Sequence, residues 1–259
     1  MDMAYILCGA LTGLLVGLTG VGGGALMTPL LILFFHVDPL VAVSTDLWFA
    51  SFTKMVGLLI HQRHAQVDWN VVRRLLLGSL PVTIIILLLI SQEYHVSKSK
   101  SLTHGIGALV LLTSIGLFAS PWLFERARQT RIDRPQVFKR MQGPTTTVFG
   151  AVLGACVAIT SVGAGAIGTL VLMLLYPLRM SPKKLVATDI AHAMPLALVT
   201  AIGYTLLGVP DFGLLQLLLY GSIPAVVAGS LLTQRLPARL VQLLLATVLL
   251  MVGFKTVLI

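Results

Sequence analysis

The segment Thr19-Gly20-Val21-Gly22-Gly23-Gly24-Ala25 breaks a long apolar run and decides how the chain is organised. It returns at a constant offset of 141 residues as Thr160-Ser161-Val162-Gly163-Ala164-Gly165-Ala166. A Thr-Asp pair follows each copy inside the next apolar run, first as Thr45-Asp46 and then as Thr188-Asp189. The chain is therefore predicted to consist of two related halves, each with a glycine-rich break and an intramembrane carboxylate.

The alignment of the halves extends well beyond these motifs. Residues between Gly9 and Thr28 repeat at the offset of 141, and after a two-residue insertion residues between Pro39 and Pro81 repeat at 143. One offset maintained from Pro39 to Pro81 is hard to obtain by chance. We expect a first membrane repeat over 1–120, a basic linker over 121–142 and a second membrane repeat over 143–259.

The composition is that of a membrane protein. The 259 residues are 57% hydrophobic and only 10% charged, with a mean hydropathy of +0.96, whereas soluble domains average about 25% charged residues. Apolar stretches of near-spanning length recur. The net charge of +9 lies mostly in loops, and the basic linker is typical of a cytoplasmic loop. We therefore expect a multi-pass protein of a bacterial-type cytoplasmic membrane, with the lipid bilayer and not nucleic acid as its partner.

Each half contains four apolar segments, namely 4–35, 39–60, 69–90 and 102–120, then 145–178, 182–207, 211–232 and 237–258. The first segment of each half would make ~48 Å of helix, too long for one ordinary crossing of a ~30 Å core. The predicted fold is all-α, with each repeat formed by one glycine-broken, re-entrant helical hairpin and three transmembrane helices. Such repeats have inverted topology. Broken segments that cross the membrane completely would give the same inversion.

Loop charge favours re-entrance. If segment 145–178 is re-entrant, Arg179, Lys183 and Lys184 stay on the cytoplasmic side with the basic linker; if it spans, they move outside.

A glycine-rich break that opens onto a helix exposes unpaired backbone N–H groups, which with the helix dipole form an anion site. The candidate substrate-binding residues are Thr19, Gly22, Gly23, Gly24, Thr160, Ser161, Gly163, Ala164 and Gly165. The structural alternative is that these glycines only let helices pack closely, as expected for Gly9, Gly13 and Gly17.

Asp46 and Asp189 each lie ~12 Å along a helix, inside a ~30 Å hydrocarbon core. Carboxylates at this depth usually face a pathway or a partner. Together with Thr45 and Thr188 they either couple protons or brace the glycine breaks, and the sequence leaves both roles open. His192, three residues after Asp189, either relays protons or donates to a backbone carbonyl.

Lys54 lies ~24 Å along its helix, near the predicted cytoplasmic boundary, where snorkelling to the interface is expected. Attraction of anions is the alternative. By residue type, His61, His64 and Asp68 are candidates for a metal site, but the second half has no copy of the histidines, which argues against it. Since no nucleophile–base pair or metal-ligand cluster stands out, we expect no enzymatic activity, no cofactor and no metal.

The doubled glycine-rich and Thr-Asp segments, with Asp-Trp or Asp-Phe and Gly-Ser-x-Pro beyond them, resemble the sulfite exporter TauE/SafE family, also called toluene sulfonate uptake permeases. The run Gly17-Leu18-Thr19-Gly20-Val21-Gly22-Gly23-Gly24 is most similar to the family pattern. The resemblance covers nearly the whole chain and implies a permease for sulfite or organosulfonates. The second copy departs from it with Ser161, Ala164 and His192, so the particular anion stays open.

These features together predict a secondary transporter of a small anion that works by alternating access between inverted halves, with proton coupling as an option. An anion channel and a non-transporting membrane scaffold are the alternatives. The oligomeric state is left open, a homodimer being one option.

Overall fold

A computed structural model describes residues 2–19, 24–61, 67–93, 135–161, 165–176 and 179–232, with isolated residues between 111 and 129 and between 247 and 254. These ranges are helical and contain no strand. The helices are α1 (Asp2–Thr19), α2 (Gly24–Phe35), α3 (Pro39–His61), α4 (Trp69–Glu93), α5 (Pro135–Thr160), α6 (Ala166–Leu175), α7 (Pro182–Leu206) and α8 (Phe212–Leu232). The fourth apolar segment of each half, predicted over 102–120 and 237–258, lies outside the continuous described ranges.

Helices α3 and α7, which correspond to the second apolar segment of each half, begin where the sequence predicts. At α3 the Asp38 Oδ1 atom accepts from the Leu40 N–H over 3.0 Å. At α7 the Ser181 hydroxyl accepts from the Lys184 N–H over 3.3 Å. A side-chain oxygen followed by proline satisfies an N–H that would otherwise lack a partner and presets the first helical φ.

The helices are interrupted at both glycine-rich motifs, as predicted. In the first half an 18-residue helix precedes a 12-residue one. In the second half the lengths are 26 and 10 residues, because α5 begins at Pro135, within the predicted linker. The two arms of each broken segment are therefore unequal in length.

Each broken segment folds back on itself. The rings of Tyr5 and Phe35 stack with centroids 4.4 Å apart, so the end of α2 lies beside the start of α1. In the second half the hydroxyls of Thr146 and Tyr176 lie 2.8 Å apart. These are equivalent positions in the repeat. Each segment thus ends on the side of the protein where it began.

Glycines join the two halves. The first helix of each half packs against the fourth helix of the other, α1 on α8 and α5 on α4. A Cβ atom at Gly13 would lie 2.6 Å from the Ser222 carbonyl oxygen. A Cβ atom at Gly154, the equivalent position of the second half, would overlap the Ser79 carbonyl oxygen. The expected packing role of the glycines in α1 is confirmed, because only glycine permits this approach.

Helices α3 and α7 pack together at the centre of the described part, where the Trp48 indole N–H donates to the Thr205 hydroxyl over 2.9 Å. Helix α4 lies at the periphery and exposes large apolar side chains, namely Leu77, Ile84, Ile85, Leu88 and Leu89. Four of the described helices are long and apolar enough to cross a membrane. With the composition, this makes the chain a polytopic integral membrane protein.

Candidate functional site

Asp46 connects the two glycine breaks. Its carboxylate is fully buried in the middle of α3 and accepts a hydrogen bond from the Thr28 hydroxyl over 2.6 Å. Thr28 belongs to α2, the helix that follows the first break. The Ser161 hydroxyl, at the end of α5 and at the start of the second break, also lies against this carboxylate. One carboxylate therefore touches both broken segments.

Asp189 occupies the equivalent place in α7 and is also buried. The Thr169 hydroxyl of α6 lies against it, as Thr28 lies against Asp46. Thr169 is the repeat partner of Thr28. In the described residues, however, neither the Thr169 hydroxyl nor the Asp189 Oδ1 atom makes a hydrogen bond of ordinary geometry. Both halves place a threonine beside the buried aspartate, but the threonine donates a hydrogen bond to the aspartate only in the first half.

Lys54 does not snorkel, so the favoured interpretation of this residue is wrong. Its side chain is only 3% exposed, because helices of both halves pack against α3. The ammonium interacts electrostatically with Asp189 and with Asp46. Lys54 is thus a buried cation shared by carboxylates from both halves. Depth along a helix could not show this, since it says nothing of what surrounds the helix.

His192 is fully buried, and its Nε2 atom lies 3.1 Å from the Ser79 hydroxyl. The expected backbone carbonyl partner is therefore replaced by a side chain. The Nδ1 atom has no hydrogen-bond partner among the described residues, and the ring faces Lys54. Phe49, at the equivalent position of the first half, packs in an apolar cluster with Met27 and Leu31. The halves differ chemically at this position.

These side chains form what we name the central polar cluster, made up of Thr28, Asp46, Lys54, Ser161, Thr169, Asp189 and His192. In the described part of the chain, seven buried side-chain N or O atoms lack a hydrogen-bond partner, and five of them belong to this cluster. Each such atom costs about 1–3 kcal/mol. Their concentration in one place is typical of a binding site, where function outweighs stability.

The predicted glycine-site residues are only partly described. Gly22, Gly23, Gly163 and Ala164 lie outside the described residues, as does the side chain of Thr19. Gly24 is the first residue of α2.

In the second half, the Thr160 hydroxyl donates to the Cys156 carbonyl of its own helix over 2.7 Å. The Gly165 carbonyl accepts from the Thr169 N–H at the start of α6. Ser161 therefore stands out among the described candidates as the one whose side chain lies in the central polar cluster.

Thr45 and Thr188 each accept a hydrogen bond from a backbone N–H group of the opposite half of the protein. The Thr45 hydroxyl accepts from the Asp211 N–H over 3.1 Å, at the start of α8. The Thr188 hydroxyl accepts from the Asp68 N–H over 3.0 Å, at the start of α4. Each threonine therefore contacts the start of a helix of the opposite half, α8 for Thr45 and α4 for Thr188, while its neighbouring aspartate lies in the central polar cluster.

Asp68 forms an ion-pair group at the surface. Its buried carboxylate lies 2.8 Å from the Arg179 guanidinium and 3.4 Å from the Lys184 ammonium. The side chains of His61 and His64 lie outside the described residues. Among the residues that are described, no group of three His, Cys, Asp or Glu side chains is arranged for a metal ion.

Sequence reasoning did not select Thr28, Thr169 or Ser79 as site residues. A signal for the threonines was present, because they align with each other at the repeat offset. A hydroxyl residue that occurs at equivalent positions in both halves is a good candidate for a hydrogen-bond partner of the buried aspartate of its half.

Comparison with known sequences identifies the family of this chain. The sequence profile described as "Sulfite exporter TauE/SafE" matches residues 5–256. The "Probable membrane transporter protein YjnA" of Bacillus subtilis (strain 168) is 35% identical over 260 residues, covering 99% of this chain and 100% of that protein. The "Probable membrane transporter protein YdhB" of the same organism is 24% identical and covers 91% of each chain. No solved structure matches. The chain belongs to the sulfite exporter TauE/SafE family of membrane transporters.

Proposed function

We propose that this transporter is a secondary carrier of a small anion, sulfite or an organosulfonate, which it moves across the cytoplasmic membrane by alternating access. The anion binds at the central polar cluster, between the two glycine breaks. The family is named for the export of sulfite, and the sulfonate class comes from the resemblance of the repeated motifs to toluene sulfonate uptake permeases.

The observation that carries the proposal is the group of buried, partly unpaired polar atoms around a buried ammonium. Lys54, Ser161 and Thr169 supply donors suited to oxyanion oxygens. Asp46 and Asp189 supply charge that must be neutralised before an anion can enter. A site with this composition suits a small, compact anion better than an apolar or cationic solute.

Helix directions support the inverted repeat. Successive residues of α1 meet successive residues of α8, the pairs being Gly9 with Leu218, Gly13 with Ser222 and Gly17 with Val226. These helices therefore run the same way, as do α5 and α4, in which Gly150 meets Leu75 and Gly154 meets Ser79.

Helices α3 and α7 run in opposite directions, since Trp48 meets Thr205 whereas the later Lys54 meets the earlier Asp189. With both broken segments folded back, every helix then points against its counterpart in the other repeat, α1 against α5 and α3 against α7. This is the arrangement that alternating access by inverted repeats requires. We keep the repeats at 1–120 and 143–259, with the linker 121–142 in the cytoplasm.

The ion-pair group supports that orientation. Arg179 and Lys184 both contact Asp68, at the start of α4. These cations therefore lie on one side of the protein, as the positive-inside rule expects of the cytoplasmic side. The re-entrant arrangement of the segment before Arg179 gives this result, whereas a complete crossing would not.

The helix N-termini at the glycine breaks complete the proposed site. We include in the proposed site the backbone N–H groups of Gly22 to Gly24 and Gly163 to Gly165, which in the sequence precede or begin α2 and α6, together with Thr19 and Thr160. With the dipoles of these helices behind them, they would bind anion oxygens.

Proteoliposome uptake tests the proposal. Purified protein is reconstituted and offered labelled sulfite, sulfoacetate and other sulfonates, each with and without an imposed pH gradient. We expect saturable uptake of at least one of these anions over protein-free vesicles. Steady single-channel current without saturation would favour the anion channel, and no flux of any anion would favour the scaffold.

A further inference from the structure

We propose that Lys54 is the residue that binds the transported anion, in place of the aspartate that neutralises it when the site is empty, so that a monovalent anion enters together with one proton. This inference rests on the proposed function, which it extends by naming the binding residue and the coupling rule.

The burial of Lys54 is the first step. A side chain that is 3% exposed within a membrane protein has lost its hydration, and an ammonium in that position needs a negative partner. Asp46 lies two turns earlier on the same helix, ~12 Å along the axis. Asp189 comes from α7 of the other half, and it also interacts electrostatically with Lys54.

The charge count is the second step. Two buried carboxylates interact electrostatically with one buried ammonium, and a site with both carboxylates ionised would carry a net charge of −1 and repel an anion. An unpaired buried carboxylate is costly and takes up a proton instead. The empty site therefore holds one proton on the pair, with Lys54 balanced by the other carboxylate.

Binding of the anion follows from this balance. An anion that approaches Lys54 displaces the remaining carboxylate, which then becomes unpaired and takes up a proton in turn. A monovalent anion thus enters with one proton and the loaded site is neutral. No bond other than the O–H of the carboxylic acid forms or breaks.

Among the described residues, the other titratable groups that interact electrostatically with these charges are His192 of α7, with Lys54, and Cys8 of α1, with Asp46. The Thr28, Ser161 and Thr169 hydroxyls contact the carboxylates from α2, α5 and α6. They donate to a carboxylate or to an anion oxygen equally well.

The repeat does not duplicate the ammonium. Lys54 aligns with Ala197, which is buried in the apolar core beside α3. Two carboxylates and one ammonium give one anion site per chain, shared by the halves, instead of one site in each half.

The test compares Lys54→Gln, Lys54→Arg and the control Lys184→Gln, which removes a partly exposed lysine of the surface ion-pair group. Uptake of the anion identified by the sulfite and sulfonate panel is measured with an internal pH dye, to count protons per anion. We expect Lys54→Gln to lower uptake at least tenfold, Lys54→Arg to retain part of it, and Lys184→Gln to match the natural protein. The expected ratio is about one proton per monovalent anion.

The double variant Lys54→Gln with Asp189→Asn separates binding from folding, because it removes the charge and its partner together. It should fold, as judged by its melting temperature, and still fail to transport. Transport by a folded double variant at the natural rate, or anion entry without protons, would overturn the inference while leaving the proposed function intact. If the natural protein moves no anion of the panel, both fail.

Discussion

The Thr28 hydroxyl donates a hydrogen bond to the Asp46 carboxylate over 2.6 Å, which fixes the helix after the first glycine break to the central helix of its half. Thr169 lies against Asp189 in the second half without completing that bond. An exact duplication would be expected to give two identical pairs. The difference indicates that one half holds its carboxylate firmly, while the other leaves Asp189 free to respond to Lys54.

The two threonines should therefore respond differently to removal of the hydroxyl. Thr28→Val leaves a buried carboxylate without its donor, and loss of a hydrogen bond to a charged group costs about 1.5–3 kcal/mol. Thr169→Val removes no hydrogen bond of this kind and is its matched control. Thermal unfolding in detergent should show a clearly lower midpoint for Thr28→Val and a small change for Thr169→Val. Equal losses would contradict the asymmetry.

The glycine contact between α5 and α4 allows a second comparison. Gly154→Ala places a Cβ against the backbone of Ser79, where nothing can move aside, and overpacking of this type costs about 1–3 kcal/mol or more. Gly143→Ala, in the same helix, meets only the Arg74 side chain at 3.5 Å.

Helix propensity favours the alanine at residue 143 by up to about 1 kcal/mol. We expect Gly154→Ala to reduce the yield of monodisperse protein, and Gly143→Ala to leave it unchanged or raise it. A well-folded Gly154→Ala variant with natural stability would show that the helices do not pack as closely as described.

Two substitutions at Ser161 distinguish the effect of backbone strain from the effect of the hydroxyl group. Its φ is 59°, in the left-handed region, where the first half has Gly20, and a non-glycine residue there costs about 1–2 kcal/mol. Ser161→Gly relieves the strain, whereas Ser161→Ala keeps it, and both remove the hydroxyl beside Asp46. Both should transport less than the natural protein, with Ser161→Gly the more stable of the two. Natural flux in either variant would exclude the hydroxyl from the site.

Membrane orientation can be read from cysteine labelling. In a background with Cys8 and Cys156 replaced by alanine, Gln129→Cys and Arg179→Cys are exposed positions. Re-entrance of the second broken segment places both on the cytoplasmic side. An impermeant maleimide should label them in inverted vesicles but not in intact cells. Labelling of Arg179→Cys from outside would mean that the segment crosses the membrane completely.

Periodic and repeated features of the sequence predicted much of the fold. The starts of α3 and α7 follow from Asp38-Pro39 and Ser181-Pro182, since capping is a local effect. The unequal arms of the broken segments do not follow from local signals, because only contacts such as that between Tyr5 and Phe35 determine where each arm ends.

The candidate site was predicted less completely. Depth along a helix identified Asp46 and Asp189, since a carboxylate in an apolar run is recognisable from sequence alone. The same measure misplaced Lys54, because burial of a lysine depends on what covers its helix. The threonines that contact the acids come from a helix that is adjacent only after each segment folds back.

The central claim is that the protein is an anion carrier with one site shared by two inverted halves. Counterflow tests this claim most directly. Vesicles that contain the protein are preloaded with each unlabelled anion of the sulfite and sulfonate panel, and entry of the same labelled anion is compared with entry into empty vesicles. A carrier predicts that preloading accelerates entry of at least one anion, because the loaded site returns faster than the empty one. Entry that preloading does not accelerate for any anion, or no entry at all, would contradict the claim.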